Sequence, residues 1–244
     1  TEAVFRAATA IRSGERPPMN ARSENERWSM VNTGNPERTQ RQILEWIEGG
    51  AIAFSQDIIL VARNGKAPAD HCTVAGLNAA IVDLISPRLD SDQRFNVGDR
   101  VINTKNIPDL DVWNGSTGSI HAIDIDGGIW VKSDTPVIDH SRTKDERYPV
   151  YKDLVLFAKD TRKHLQLAYA LTVHKAQGSQ YRNVLMACFD RDTFRLLDRS
   201  LLYTGVTRTR EACCVCGQLS SAWVAIDKVN HKNTIIQQIA SAAA

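Results

Sequence analysis

The chain has 244 residues, 43% hydrophobic and 24% charged: enough apolar side chain for a packed core, and too little charge bias for wholesale disorder. At ~150 residues per domain, that length suggests one large domain or one and a half smaller ones. Lys and Arg total 30 against 28 Asp and Glu, so the net charge of +2 advertises no nucleic acid, and any such site must be local. No apolar run approaches the ~18 residues of a membrane helix, and no signal-peptide pattern opens the chain. Thr1 in place of Met is what a processed piece or a fragment would show.

Residues 1–19 read as a helix closed by Gly14 and then Pro17-Pro18, the usual stop chemistry. A polar stretch from Asn20 to Asn35 reads as a loop. Asn35-Pro36-Glu37 then starts a helix with an N-cap, a proline at the first position and an acid in the first turn; Ile43, Trp46 and Ile47 form its apolar face. DIILVAR (57–63) is a short apolar run suited to a strand buried on both faces, and VAGLNAAIVDLI (74–85) carries helical periodicity. From Phe95 to about Leu156 turn signals crowd together. SIHAID, then Asp-Gly, then GIWVKS predicts a hairpin on a tight primed turn, and several short strands in this stretch suggest a small antiparallel barrel inserted into an α/β domain.

After Lys159 the α/β pattern returns. LQLAYAL (165–171) and RNVLMACF (182–189) read as strands, a helix is expected from Thr193 to Arg210, then a strand ACCVC and a helical region from Ser220 onward. Strands alternating with helices imply a parallel sheet covered on both faces. The expected division is 1–94 (of which 1–35 are a leading helix and linker), an insert over 95–158, and a second segment over 159–244. The five cysteines, Cys72, Cys188, Cys213, Cys214 and Cys216, fit neither a disulfide framework nor paired zinc motifs. Cysteine acting as a small hydrophobe in a buried strand of a reduced, cytoplasmic protein is the expectation.

Two polar stretches could carry chemistry. Thr172-Val173-His174-Lys175-Ala176-Gln177-Gly178-Ser179-Gln180 gathers hydroxyl, imidazole, ammonium and amide groups around a glycine, between two predicted strands. Such groups suit phosphate oxygens, although an ordinary solvated loop has the same composition. Tyr203-Thr204-Gly205-Val206-Thr207-Arg208-Thr209-Arg210 ends the predicted helix. Arg208 and Arg210 stand roughly 200° apart around it, so one can enter a cleft while the other meets solvent or Glu211.

LAYALTVHKAQGSQ followed by SLLYTGVTRTR resembles motifs V and VI of superfamily 1 helicases, the RecD-like 5′→3′ branch in particular. AIRSGERPP is similar to the segment after motif III, DIILVARNGK with GLNAAIVDLISP to the motif IV region, and FNVGDRVINTKNIPDLDVWNGSTGSI to the run from the second RecA-like domain into its SH3-like insert. The segment around Asn233-Thr234 resembles the family's closing helix. The resemblance implies a RecA-like parallel sheet covered by helices, with an inserted small antiparallel SH3-like barrel. It further implies ATP held between two RecA-like domains, with single-stranded DNA across their top. Arg208 then corresponds to the motif VI arginine that reaches the γ-phosphate, and Arg63 to the motif IV arginine on the same phosphate. Thr172 and His174 correspond to DNA-backbone contacts, with Lys175 beside them, and Gly178 to a close approach of backbone and ligand. Gln180 stands where the family often has a ribose-binding Glu. Lys105 and Asn106, in NTKN, match a signature near the junction with the insert, where DNA contact and a plain turn are both open readings.

Trp113 and Trp130 are candidates for stacking on bases, although a small barrel more often buries such side chains. The loop 159–164 is either a wall of a DNA channel or a solvated turn. No GxxxxGK[ST] loop occurs, since Asn64-Gly65-Lys66-Ala67 lacks both the glycine spacing and the hydroxyl. The resemblance therefore implies the C-terminal half of an ATP-dependent helicase, with ATP and Mg2+ held mainly by an N-terminal RecA-like domain and no metal site of its own. A single-strand-binding module without catalysis, or a partner-docking module working through the barrel, are the alternatives.

Overall fold

The computed structural model describes residues 2–90, 93–143, 148–189 and 196–228. Two sheets organise them. The first runs β1 (Asn20–Arg22), β2 (Arg27–Asn32), β11 (Thr209–Gly217), β10 (Tyr181–Cys188), β3 (Ile58–Val61), β9 (Ala170–Thr172). All its pairs are parallel except the β1–β2 edge. Helices α1 (Ala3–Ser13), α5 (Arg199–Val206) and α6 (Leu219–Asp227) pack on one face, while α2 (Pro36–Glu48) and α3 (Val74–Ile85) cover the other. β3 is buried at all four positions, which is why IILV shows no alternation.

The second sheet is antiparallel, in the order β7 (Tyr151–Phe157), β6 (Ile129–Ile138), β5 (Thr117–Ile123), β4 (Arg100–Asn103), β8 (Leu165–Leu167). It has its own core, built on Phe95, Val101, Ile120, Val131, Val155 and Phe157. A one-turn helix, α4 (His140–Thr143), follows β6.

Helix starts follow their caps. Asn35 accepts from the Arg38 N–H at 2.9 Å and Thr73 from that of Gly76 at 3.2 Å, while α1 ends on a left-handed Gly14. Four expectations are corrected. The polar stretch Asn20–Asn35 contains β1 and β2. Only Trp28 and Met30 are fully buried there, on the α1 side, with Ala21 and Val31 part-buried against the two cores, and so short a pattern is too little to signal a strand. LQLAYAL is two strands, since Leu165–Leu167 pair with β4 and Ala170–Thr172 with β3, the chain crossing between sheets at Ala168-Tyr169. The predicted helix to Arg210 stops at Val206, and Thr209 and Arg210 already belong to β11. Its first residues, 193–195, and the segment around Asn233-Thr234 lie outside the described residues. The hairpin turn is also longer than two residues. Gly127 donates to Asp124 O and Asp124 to Gly128 O, both at 2.8 Å, and in this loop only Gly127, at φ +77°, is left-handed.

Candidate functional site

Because the first sheet is parallel, its two ends differ. Thr172 closes β9 level with Val61, and Arg63 lies two residues beyond, where its carbonyl accepts from the Val74 N–H at 3.1 Å. Arg208 instead precedes β11, at the start of β10, and its carbonyl accepts from the Tyr181 N–H at 2.8 Å. Leu60 is level with Met186, and Met186 with Val215, six residues up β11 from Thr209 (215 − 209). At ~3.3 Å per residue the two ends are about 20 Å apart. The structure therefore does not bring Arg63 and Arg208 together. Arg63 shares its end with Thr172.

The loop 173–180 joins these ends. Val173 and Ala176 are fully buried and pin it to the α5 side of the sheet. Gly205 lets α5 lie close to it, since a Cβ there would stand 2.6 Å from Met186 Sδ and 3.5 Å from Val173. Thr172 is buried, and its hydroxyl accepts from the Lys175 N–H at 3.3 Å; His174 is exposed. Gly178 adopts φ +89° with open space around it, so the conformation calls for glycine, not a close approach.

At the far end of the loop, Gln180 Oε1 accepts from Arg210 Nε at 3.3 Å. Arg208 folds back on neutral oxygens: Nε donates to Thr204 O at 3.2 Å, Nη1 to Ser179 O at 3.4 Å and Nη2 to Thr207 Oγ1 at 3.3 Å. No carboxylate offsets its charge in these contacts.

A second group reaches the loop from the antiparallel sheet. Half-buried Lys175, its pKa lowered by desolvation, donates from Nζ to Gln166 Oε1 at 3.1 Å. Gln166 pairs with Ile102 in β4, and two residues further along, Thr104 bonds His164 O through both N–H and hydroxyl. The His164 pKa is lowered by desolvation and then by the like charges of Lys105 and Lys163. Lys175, His164, Lys163 and Lys105 thus form a basic row crossing from one sheet to the other.

The turn carrying Lys105 is built by buried Asn103, whose amide donates to Lys105 O and, at 3.0 Å, to Trp113 O. Asn106 accepts from the Asn114 N–H at 2.8 Å and is a turn former, while Lys105 is exposed. Sequence reasoning missed Asn103, His164 and Gln166. The first two lay inside stretches already singled out, whereas Gln166 depends on a strand assignment that periodicity could not make. Trp113 is 51% exposed, against the core expectation, and Trp130 is part-buried with Nε1 on the Asp124 carboxylate at 3.0 and 3.2 Å. Among the described residues no cluster of three His, Cys, Asp or Glu is placed to hold a metal, and no helix is long and apolar enough to cross a membrane.

Residues 167–216 match the UvrD-like helicase C-terminal domain family, a span that holds both ends of the loop and Arg208. The chain is 27% identical over 226 residues to the ATP-dependent RecD2 DNA helicase of Deinococcus radiodurans, covering 90% of this chain and 27% of that one. It is 30% identical over 132 residues to the RecBCD enzyme subunit RecD of Mycolicibacterium smegmatis, covering 54% and 20%. The chain is similar to the C-terminal half of RecD-like superfamily 1 helicases. Its fold is shared with Pif1 helicase from Bacteroides, solved in complex with ADP-AlF3 and ssDNA, at a TM-score of 0.52 and 14% identity over 100% of this chain and 54% of that one. The chain spans about a quarter, or less, of the length of these two relatives.

Proposed function

We propose that the chain is the C-terminal motor half of an ATP-dependent DNA helicase that moves along single-stranded DNA, 5′→3′ by the RecD-like resemblance, in the cytoplasm. One observation carries this reading: a single nine-residue stretch, Thr172 to Gln180, links a basic edge suited to nucleic-acid phosphates with an arginine, about 20 Å away, whose hydrogen bonds go to neutral oxygens. A motor needs such a link, because hydrolysis at one place must alter grip at another.

In this reading Thr172, His174 and Lys175, with Lys105 and Asn106 from the antiparallel unit, hold the DNA backbone. Arg208 acts at the γ-phosphate of ATP that an N-terminal RecA-like domain presents, and Gln180 bonds near it. The fit rests on the neutral contacts of Arg208, which leave its charge for an anion. ATP with Mg2+ supplies the phosphoryl group and its charge. Turned outward, the guanidinium would give up three long hydrogen bonds and stabilise the negative charge that spreads during transfer. Movement of Ser179 and Gln180 would then pull on the loop held by Val173 and Ala176. Arg63, at the opposite end of the sheet, belongs in this reading to the DNA edge. The antiparallel unit is read as an SH3-like insert extending to Leu167, with the RecA-like segments before and after it.

The test is ATP hydrolysis by the intact protein with and without single-stranded DNA. DNA-stimulated hydrolysis that falls by ~10³ in Arg208→Ala is expected. Absence of DNA-stimulated hydrolysis in the wild type overturns the motor reading. This chain by itself, lacking a phosphate-binding loop, is expected to bind oligothymidylate and release no phosphate.

A further inference from the structure

The chain passes between the two sheets twice, outward over Ser86–Asp99 and back over Ala168–Tyr169, and one buried carboxylate ties both passages. Asp99 is fully buried. Its Oδ1 accepts from Ser86 Oγ at 2.7 Å and from the Tyr169 hydroxyl at 2.8 Å, while Oδ2 accepts from the Asn96 N–H at 2.7 Å and pairs with Arg88 at 2.7 Å. Ser86 ends α3, and Tyr169 immediately precedes β9. The backbone of Tyr169 is held separately, since Asn78 of α3 accepts from the Tyr169 and Ala170 N–H groups at 2.9 and 3.0 Å and donates to Ala170 O at 3.0 Å.

Around this joint lies a cleft of about 690 Å³, lined by Phe54, Arg100, Lys132, Asp134 and Tyr169 among others. The two units are therefore not packed solid against each other on that side, whereas elsewhere Ile102 of β4 packs into the core of the parallel sheet and Leu167 touches the cores of both units. On the cleft side the angle between them rests on the bonds that cross. A low-dielectric, fully bonded carboxylate is a stiff support, because releasing any partner leaves a buried polar group unpaired.

We propose that Tyr169 and Asp99 are positioning residues. The hydroxyl–carboxylate bond between them sets the angle of the antiparallel unit on the parallel sheet, and so aligns the Lys105 turn with Thr172 and His174 into one track. The proposal rests on the reading that these groups bind single-stranded DNA.

Tyr169→Phe removes one hydroxyl and retains the ring, which meets Phe54 edge-on at 4.9 Å. Spin labels at Lys66→Cys and Lys132→Cys, both exposed and on opposite units, report the angle in the full chain, with half-exposed Cys214 replaced by Ser. A narrow distance distribution is expected in the parent, and a clearly broader one in Tyr169→Phe while the far-UV spectrum and a cooperative thermal transition persist. An unchanged distribution overturns the proposal.

Binding completes the test. A long oligothymidylate that reaches both units should lose about tenfold in affinity in Tyr169→Phe, as linked contacts do when their geometry loosens, while a short one confined to one unit loses little. A broadened distribution with undiminished affinity for the long strand overturns the alignment role. Failure of the parent chain to bind either strand removes the DNA reading instead, and the label distances still decide whether the bond sets the angle. Should Tyr169→Phe not fold, Asp99→Asn, which takes the charge from the acceptor and so weakens the same Tyr169 bond, takes its place in both measurements.

Discussion

Gly178, His164 and the buried thiols each make a claim that one substitution or one reagent can check. Gly178 sits at φ +89° with nothing near it, so Gly178→Ala meets backbone strain without a clash and should lower stability by about 1–2 kcal/mol, read as a shift in the urea midpoint. An unchanged midpoint would mean that the loop relaxes into another conformation. His164 has a lowered pKa and is neutral at pH 7, so the charge of the basic row comes there from its lysines. A DNA phosphate nearby favours the imidazolium. Binding to oligothymidylate should therefore tighten as the pH falls from about 7.5 to about 5.5, and His164→Gln should remove part of that gain; equal pH profiles would take His164 off the track. Burial pushes the Cys213 thiol up to about 12 and raises those of Cys214 and Cys216. Native protein should react with a thiol reagent at neutral pH far more slowly than protein in denaturant.

β9, only three residues long, forms the outer edge of the parallel sheet and owes its place to Asn78, whose amide occupies the hydrogen-bonding positions a further strand would use. Replacing Asn78 with Ala removes three buried bonds and should destabilise by about 3 kcal/mol at roughly 1 kcal/mol each, with faster amide exchange at Tyr169 and Ala170. Exchange that stays slow would show that α3 packing alone holds the strand. The elements most legible in the sequence were those whose ends carry their own chemistry: α1 with Gly14, α2 with Asn35-Pro36, and the hairpin with Gly127. Hidden elements depended on distant partners. Nothing local separates Leu165–Leu167 from Ala170–Thr172, because both are apolar and the break comes only from which strand each meets. β2 stayed invisible because the half of its residues that line the open cleft of about 870 Å³ beside Trp46 and Arg182 are Arg27, Ser29 and Val31, two polar and one apolar, so the strand is too short and mixed to show a clean alternation.

For the molecule as a whole, charge placement matters more than the net charge of +2. The basic row is built from residues far apart in sequence, so composition could not reveal it: the NTKN resemblance pointed to Lys105, the chemistry of its polar stretch to Lys175, and charge alone to the loop 159–164 that holds Lys163 and His164. Single-strand binding through phosphates loses about 0.7 in the slope of log affinity against log salt for each contact removed. Lys105→Ala and Lys175→Ala should each flatten the slope by about that amount, and one that leaves it unchanged is not on the track. The resemblance implied that Arg63 and Arg208 meet at one phosphate. Parallel topology places them at opposite ends of the sheet, a relation that spacing along the chain does not encode.

The return crossing at Ala168-Tyr169 also bears on where the chain can change length. Added residues between Asp124 and Gly128 would enlarge a solvent-facing loop and leave both sheets in register. A single residue added at 168 or 169 would turn β9 over, sending Ala170 to the side now filled by Leu171 while β8 stays fixed against β4. Length variation among related chains should therefore collect at the hairpin tip and be absent from this two-residue seam.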